Sequence, residues 1–542
     1  MPRRYLILFI ALLALAQIHA SEKPKLAVVI VVDQMRSDYL TREQALLIGG
    51  FKRLLDNGFQ FTEAYHEHAV TETGVGHATI ATGCYPSHHG IVGNEWWDGT
   101  KSRWVYCVED TSKEIVERFG KLRTPGRSPN NLRRPVFGDW LRQSSPQSKV
   151  FAVTGKDRSS ILIAGFGGQA YWYFPNDGAF VTSTYYETAY PAWVDSFNNR
   201  RPADNYSVDV WDRLLPRDKY VGPDSVTAEY DGKSTAFPHN FAADSDYVPR
   251  EYYEELRYTP FFDQLTLQFA RNLVINEGLG TDSIPDLLMI GCSAGDYIGH
   301  RYGPSSHEIQ DHYLRLDSYL NSFFAFLDST VGVNQYVAAL TGDHGVAPLP
   351  EELKRKGIAA GRIDSDTLGA AIRRIGAAVA AEIKCSTNVV LAAGDGVILN
   401  YAEAKTTGHD EPWLRLTVSE NIKRLSFVAD AFTRDDLASD GDDARPFVNL
   451  YRNNYYPDRS PDIMLRFKEY WIISDEPHGT SHGTPYFYDR HVPLIFYGAG
   501  IKTGLDTLKA ASVDVTPTLS ELIGITPPAN NDGRSLLNRL KR

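Results

Sequence analysis

Five stretches of this chain are continuous apolar, β-branched runs that stop abruptly at polar residues, and they constrain the fold more than any other feature. "KLAVVIVVDQ" ends at Asp33, "KVFAVTGKDR" at Lys156 and Arg158, "DLLMIGCSAGD" at Asp296, and "QYVAALTGDHG" at Asp343 and His344; "HVPLIFYGAG" closes the series near the C-terminus. A strand with one wet face alternates apolar and polar residues. A run without alternation reads as a strand covered on both faces, as in a parallel sheet layered between helices. Helical patterns lie between the runs: Leu265, Phe269 and Leu273 recur at helical spacing, and "HEIQDHYLRLDSYLNSFFAFL" carries a second stripe. The expected fold class is α/β, a mostly parallel central sheet with helices on both faces. Ligands gather at the carboxyl ends of such strands, and four of the five runs end there in charged or imidazole groups.

Two segments interrupt this pattern. Residues from about 165 to 260 are rich in Tyr, Pro, Asp and Asn, and residues from about 348 to 470 hold the Ala-rich "GAAIRRIGAAVAAEIK" and the acidic "TRDDLASDGDDARP". Both are expected to be insertions on one α/β domain spanning residues 21–542. The chain of 542 residues is 43% hydrophobic, enough for a large core, and its formal charge of -11 argues against a general binder of nucleic acid or anionic membrane. Residues 1–20, "MPRRYLILFIALLALAQIHA", pair two arginines with an apolar run too short to span a bilayer. They have the shape of a secretory signal cut after Ala20, the alternative being a retained anchor. The mature protein is then expected to be soluble, in the periplasm or secreted. Of the four cysteines, Cys84 and Cys107 are closest in sequence and are the expected bridge in an oxidising compartment.

The chemistry-bearing residues form one constellation: Asp33, Asp296, His300, Asp343, His344 and His482. Asp296 and His300 stand four apart, close enough in a helix to hold one ion, and "TGDHG" supplies two adjacent ligands from one strand end. His478 and His491 flank His482 as rivals. Mixed carboxylate and imidazole donors suit zinc, and six ligands make two three-ligand sets with room for water or substrate. Two ions ~3.5–4 Å apart form the usual clamp for in-line displacement at phosphorus. A hydroxyl that needs such activation stands in "VTETGVGHATIATG": Thr73 precedes a small-residue run that reads as a helix, whose N-terminal N–H groups and dipole would face a phosphate. Thr71 is its nearest rival, and an N-cap role is the plain alternative.

These residues resemble the alkaline phosphatase superfamily, in its nucleotide pyrophosphatase/phosphodiesterase-like branch, over residues 25–158, 286–345 and from 479 onward. Within it the chain is most similar to the secreted, phosphate-irrepressible alkaline phosphatases of bacteria, which use threonine as nucleophile. The resemblance implies that Thr73, four residues before His77, is that nucleophile. It implies one zinc on Asp33, Asp343, His344 and Thr73 and a second on Asp296, His300 and His482, the last preferred to His478 because "HGTPYFYDRHVPL" matches the closing motif. Asn94 in "GIVGNEWWD" looks like the phosphate-binding Asn, and Lys156 and Arg158 resemble the cationic pair of the monoesterases, absent from the diesterases. Two cations aimed at the extra ionisable oxygen of a monoester favour its dianion. His77, His88 and His89 read as structural. The implied function is a secreted zinc alkaline phosphatase acting on small phosphate monoesters through a phosphothreonine. The alternatives are a phosphodiesterase or nucleotide pyrophosphatase on the same metals, or a noncatalytic exported binding protein.

Overall fold

The computed structural model describes residues 23–117, 124–207, 210–240, 250–439, 441 and 444–541. The expected secretory signal, residues 1–20, lies outside them. The strands used below are, in chain order, β1 (Leu26–Val32), β2 (Phe59–Phe61), β3 (Glu109–Val116), β4 (Pro125–Arg127), β5 (Val150–Thr154), β6 (Gln169–Phe174), β7 (Ala179–Ser183), β8 (Asp286–Cys292), β9 (Tyr336–Gly342), β10 (Val390–Ala393), β11 (Gly396–Leu399), β12 (Val428–Thr433), β13 (Ile463–Phe467), β14 (Leu494–Gly498) and β15 (Gly504–Asp506). The helices are α1 (Thr73–Thr82), α2 (Asp157–Ala164), α3 (Phe261–Glu277), α4 (Ala294–Tyr302), α5 (His307–Leu327), α6 (Ser365–Glu382), α7 (Glu411–Ile422) and α8 (Val515–Leu522).

Among the described residues, eleven strands form one sheet in the order β15-β2-β14-β9-β1-β8-β5-β6-β7-β3-β4. Its centre, β9-β1-β8-β5-β6, is parallel throughout, and the flanks add antiparallel pairs on either side. Every residue of β1 is fully buried, and its alternate side chains enter two different cores. Leu26, Val28, Ile30 and Val32 meet the buried stripes of α3 and α5. Ala27, Val29 and Val31 meet apolar residues of α1, α2 and α8. Burial on both faces is why the run shows no alternation.

The segment from about 165 to 260 does not begin as an insertion, because β6 and β7 extend the main sheet and pair with β5 and β3. Its later part folds over the sheet, burying Phe197 and Trp211 in the same core as β1. The segment from about 348 to 470 builds a satellite: a four-stranded sheet, β10-β11-β13-β12, covered by α6 and α7 around its own core of Leu368, Ile372, Leu414, Val418 and Ile463.

The expected Cys84–Cys107 bridge is absent, and all four cysteines are free. Cys84 follows the C-terminal cap of α1, while Cys107 Sγ lies beside Gly74 at its N-terminal end. A ten-residue helix spans about 15 Å, and a disulfide needs Cα atoms within about 7 Å. Nearness in sequence misled because a rigid rod separates the two.

Candidate active site

The site grows from strand register. Val32 pairs with Cys292 on one side and Gly342 on the other, so β1, β8 and β9 end at the same level. Asp33 follows β1, Asp343 and His344 follow β9, and Asp296 lies in the first turn of α4, which begins just after β8. His300 stands one helical turn beyond Asp296, with Nε2 3.2 Å from its Oδ1. Lys156 and Arg158 come from the adjacent strand end, after β5, with Arg158 in α2. His482 arrives on a loop tied down by the Thr480 N–H donating to His300 O (2.8 Å) and the Thr480 hydroxyl donating to Ala347 O (2.8 Å).

Two groups of three ligand atoms each lie within 4.8 Å of one another: Asp33, Asp343 and His344, and Asp296, His344 and His482. His344 therefore belongs to both, its ring stacked on that of His482 at 3.7 Å between centroids. His300 reaches the second group through Asp296. All three imidazoles are oriented alike: Nδ1 of His300 lies 2.8 Å from Thr480 O, that of His482 2.8 Å from Thr71 O, and that of His344 2.9 Å from Gly345 O. A carbonyl only accepts, so each Nδ1 carries the proton and each Nε2 keeps its lone pair for the site.

Asp33 Oδ1 and His344 Nε2 are buried there with no hydrogen-bond partner among the described residues. Burial and the neighbouring Asp343 push the Asp33 carboxyl well up. Burial works the same way on Asp343 and Asp296, yet His344 and His77 hold the first below the usual carboxylate range, and Lys156 and His300 hold the second well below it. Lys156 Nζ lies 2.6 Å from both Asp33 and Asp296, a single ammonium against three buried carboxylates. An excess of negative charge and of inward lone pairs in a dry site is what divalent cations satisfy, and oxygen with imidazole nitrogen is a donor set zinc accepts.

Thr73 is the first residue of α1, after an extended Glu72. Its Oγ1 lies 3.3 Å from Lys156 Nζ and 3.3 Å from Arg158 Nη2. The rival hydroxyl of Thr71 is spent on Thr484 O at 2.9 Å. Helix α1 can sit this close to the end of β9 because residue 76 is glycine: a Cβ there would strike the Asp343 carbonyl. Asn94 Oδ1 accepts the Gly74 N–H at 2.9 Å, so that helix-terminal donor is taken, and the Asn94 amide NH2 is what remains to donate. His478 is not drawn into either ligand group, and its backbone carbonyl binds Arg362. His491 bonds Ser37 and Thr62, away from the ligands. His77 braces the site, with Nδ1 2.9 Å from Thr73 O and 3.1 Å from Asp343 Oδ2. His88 bonds Asp532, and His89 bonds Thr79.

Sequence reasoning missed two residues. Gln34, with a positive φ of 63°, donates its N–H to Asp343 Oδ1 (3.1 Å) and its Nε2 to Asp296 Oδ1 (2.8 Å), fastening the two ligand groups together. Its only signal was adjacency to Asp33. Glu72 accepts the Asn94 N–H at 2.6 Å, and burial followed by Asp395 pushes its carboxyl up to about 7. Nothing in "TETG" marks it.

The sequence pattern of the family "Type I phosphodiesterase / nucleotide pyrophosphatase" matches residues 27–491. Alkaline phosphatase PhoV of Synechococcus elongatus is 34% identical over 536 residues, 96% of this chain and 93% of that one. Alkaline phosphatase PafA of Elizabethkingia meningoseptica is 32% identical over 557 residues, covering 100% of both. The crystal structure of wild-type PafA superposes with a TM-score of 0.87 over 96% of this chain and 99% of that one. A protein of Myroides odoratus named as a calcium-transporting ATPase is 34% identical over 96% of this chain and 95% of its own. With a threonine at a helix start, two cations upon it and two ligand groups beside it, the chain belongs to the type I phosphodiesterase / nucleotide pyrophosphatase family of the alkaline phosphatase superfamily and is a hydrolase of phosphoric esters.

Proposed function

We propose that this protein is an exported, zinc-dependent phosphomonoesterase that works through a covalent phosphothreonine at Thr73. Asp33, Asp343 and His344, with Thr73, would hold one zinc, and Asp296, His300 and His482 the other. Two such ions supply Lewis-acid stabilisation of the attacking and leaving oxygens.

The chain's own residues do the rest. Thr73 Oγ attacks phosphorus from the start of α1, and two cations at its oxygen favour the ionised hydroxyl. The same Lys156 and Arg158, with the Asn94 amide, are aimed where the non-bridging phosphoryl oxygens would lie, and stay there when water later frees phosphate from the threonine. Gln34 and His77 keep the carboxylates and the Thr73 turn in register. The observation that carries the monoester reading is the pair of 3.3 Å approaches of Lys156 and Arg158 to the Thr73 oxygen. A monoester dianion has one more charged oxygen than a diester for these cations to meet. The names of PhoV and PafA point the same way. The transport suggested by the Myroides relative's name finds no support here, since no helix among the described residues is long and apolar enough to cross a membrane.

The test is to quench the enzyme in acid with phosphorus-labelled p-nitrophenyl phosphate and map the label. Phosphate on Thr73 is expected; label elsewhere, or none during turnover, overturns the covalent route. The second reading, a diesterase, is favoured by the family's own description. It wins if bis-p-nitrophenyl phosphate is the better substrate.

A further inference from the structure

A cavity of about 420 Å³ opens beside Glu72 and His482 and runs between the segment after Asn94 and the inner wall of the satellite sheet. That size falls in the ~300–1,000 Å³ range of small-molecule sites. Trp96, Trp97, Trp104 and Trp471 supply aromatic surface, and Trp104 is 40% exposed at the wall. Glu72, Glu95 and Asp395 face the same space. Among the described residues one arginine lines it, Arg459, which donates to the Gly90 and Asn131 carbonyls and lies 4.5 Å over the Trp96 ring. The lining is therefore aromatic, with three carboxyl groups against one guanidinium that is held against Trp96, whereas the neighbouring phosphate subsite carries Lys156 and Arg158.

In-line displacement sends the alcohol away from the nucleophile. His482, one of the ligands, and Glu72, the neighbour of Thr73, both line this cavity, so it opens directly off the reacting centre and can receive the alcohol. We propose that the cavity is the subsite for the alcohol half of the substrate, selecting phosphate esters whose alcohol is an aromatic ring bearing a positively charged or N–H-rich group. The ring stacks on the tryptophans, where a cation is also attracted to the ring faces, and the charge meets Asp395 and Glu95. This rests on the phosphate-ester reading above and adds the substrate class.

The test compares kcat/KM for phenyl phosphates carrying a para aminomethyl, hydroxymethyl or carboxymethyl group, in which one methylene keeps the leaving phenols alike. The aminomethyl ester should exceed the carboxymethyl ester by about tenfold, the combined scale of a cation–π contact and a partly exposed ion pair. Asp395→Asn should compress that ratio below about threefold, and Trp471→Ala should erode the preference for phenyl over ethyl phosphate. Each ratio is read within one protein, so a loss of folded enzyme cancels. Equal rates for the cationic and anionic esters, or a ratio unmoved by Asp395→Asn, overturns the proposal. The same substituents are run in parallel as phenyl methyl phosphates. Turnover of the diesters alone overturns the monoester reading and leaves the subsite judged on their ratios; turnover of neither overturns both.

Discussion

Asp33, Asp296 and Asp343 are at most 4% exposed, at the ends of strands covered on both faces, whereas Asp395 stands exposed at the edge of the satellite sheet. The first three can be buried only because Lys156, the imidazoles and Gln34 compensate them, and these groups come from separate segments: Gln34 after β1, Lys156 after β5, His300 in α4, His344 after β9 and His482 on a loop. Such a cluster tolerates no independent change, since removing one partner strands a buried charge. The satellite has its own core of Leu368, Ile372, Leu414 and Val418, and offers only its inner wall to the cavity. The contrast teaches a division of labour: the main sheet fixes the chemistry, and a separately folded wall can vary what reaches it.

Each prediction strains that division. Thr73→Ala should lower phosphate monoester turnover on the order of 10⁴-fold or more with the melting curve little changed, measured by kcat/KM and calorimetry. Chelation followed by dialysis should abolish activity and lower the melting temperature, both restored by zinc, with elemental analysis finding two zinc per chain; one zinc or none in active enzyme breaks the two-group reading. Lys156→Ala with Arg158→Ala should cost monoester turnover about 10²–10³-fold and diester turnover under about tenfold, and equal losses would defeat the dianion argument. Gly76→Ala should destabilise by about 2–3 kcal/mol and depress kcat together, because the added methyl pushes α1 off Asp343. Leu414→Ala, in the satellite core, should cost about 3 kcal/mol locally. Hydrogen exchange should then rise across residues 363–473 while the turnover of ethyl phosphate changes least of all the variants. If exchange rises equally in β1 and β8, the two regions are one cooperative unit and the contrast fails.

Much of the central sheet was legible because burial on both faces leaves a signature in one dimension: β1, β5, β8 and β9 are unbroken apolar runs, and their polar ends mark one edge of the layer. The same logic missed β6 and β7. "QAYWYF" and "AFVTS" lie in a stretch that reads as loops and short strands of an insertion, yet they pair with the main sheet and bury their rings against α3. The cysteine expectation failed for the complementary reason, that chain separation says nothing about a rigid helix in between.

The sequence alone determined which residue types stand at strand ends, since hydrophobic periodicity and its interruptions are local properties of the chain. Tertiary structure alone decided which lone pairs converge. That His344 serves both ligand groups, that Gln34 ties them, that Thr73 and not Thr71 meets the cations, and that four tryptophans line one cavity with Asp395 all depend on register between segments hundreds of residues apart. Those distances are set by packing across the whole sheet, and no short window of sequence contains them.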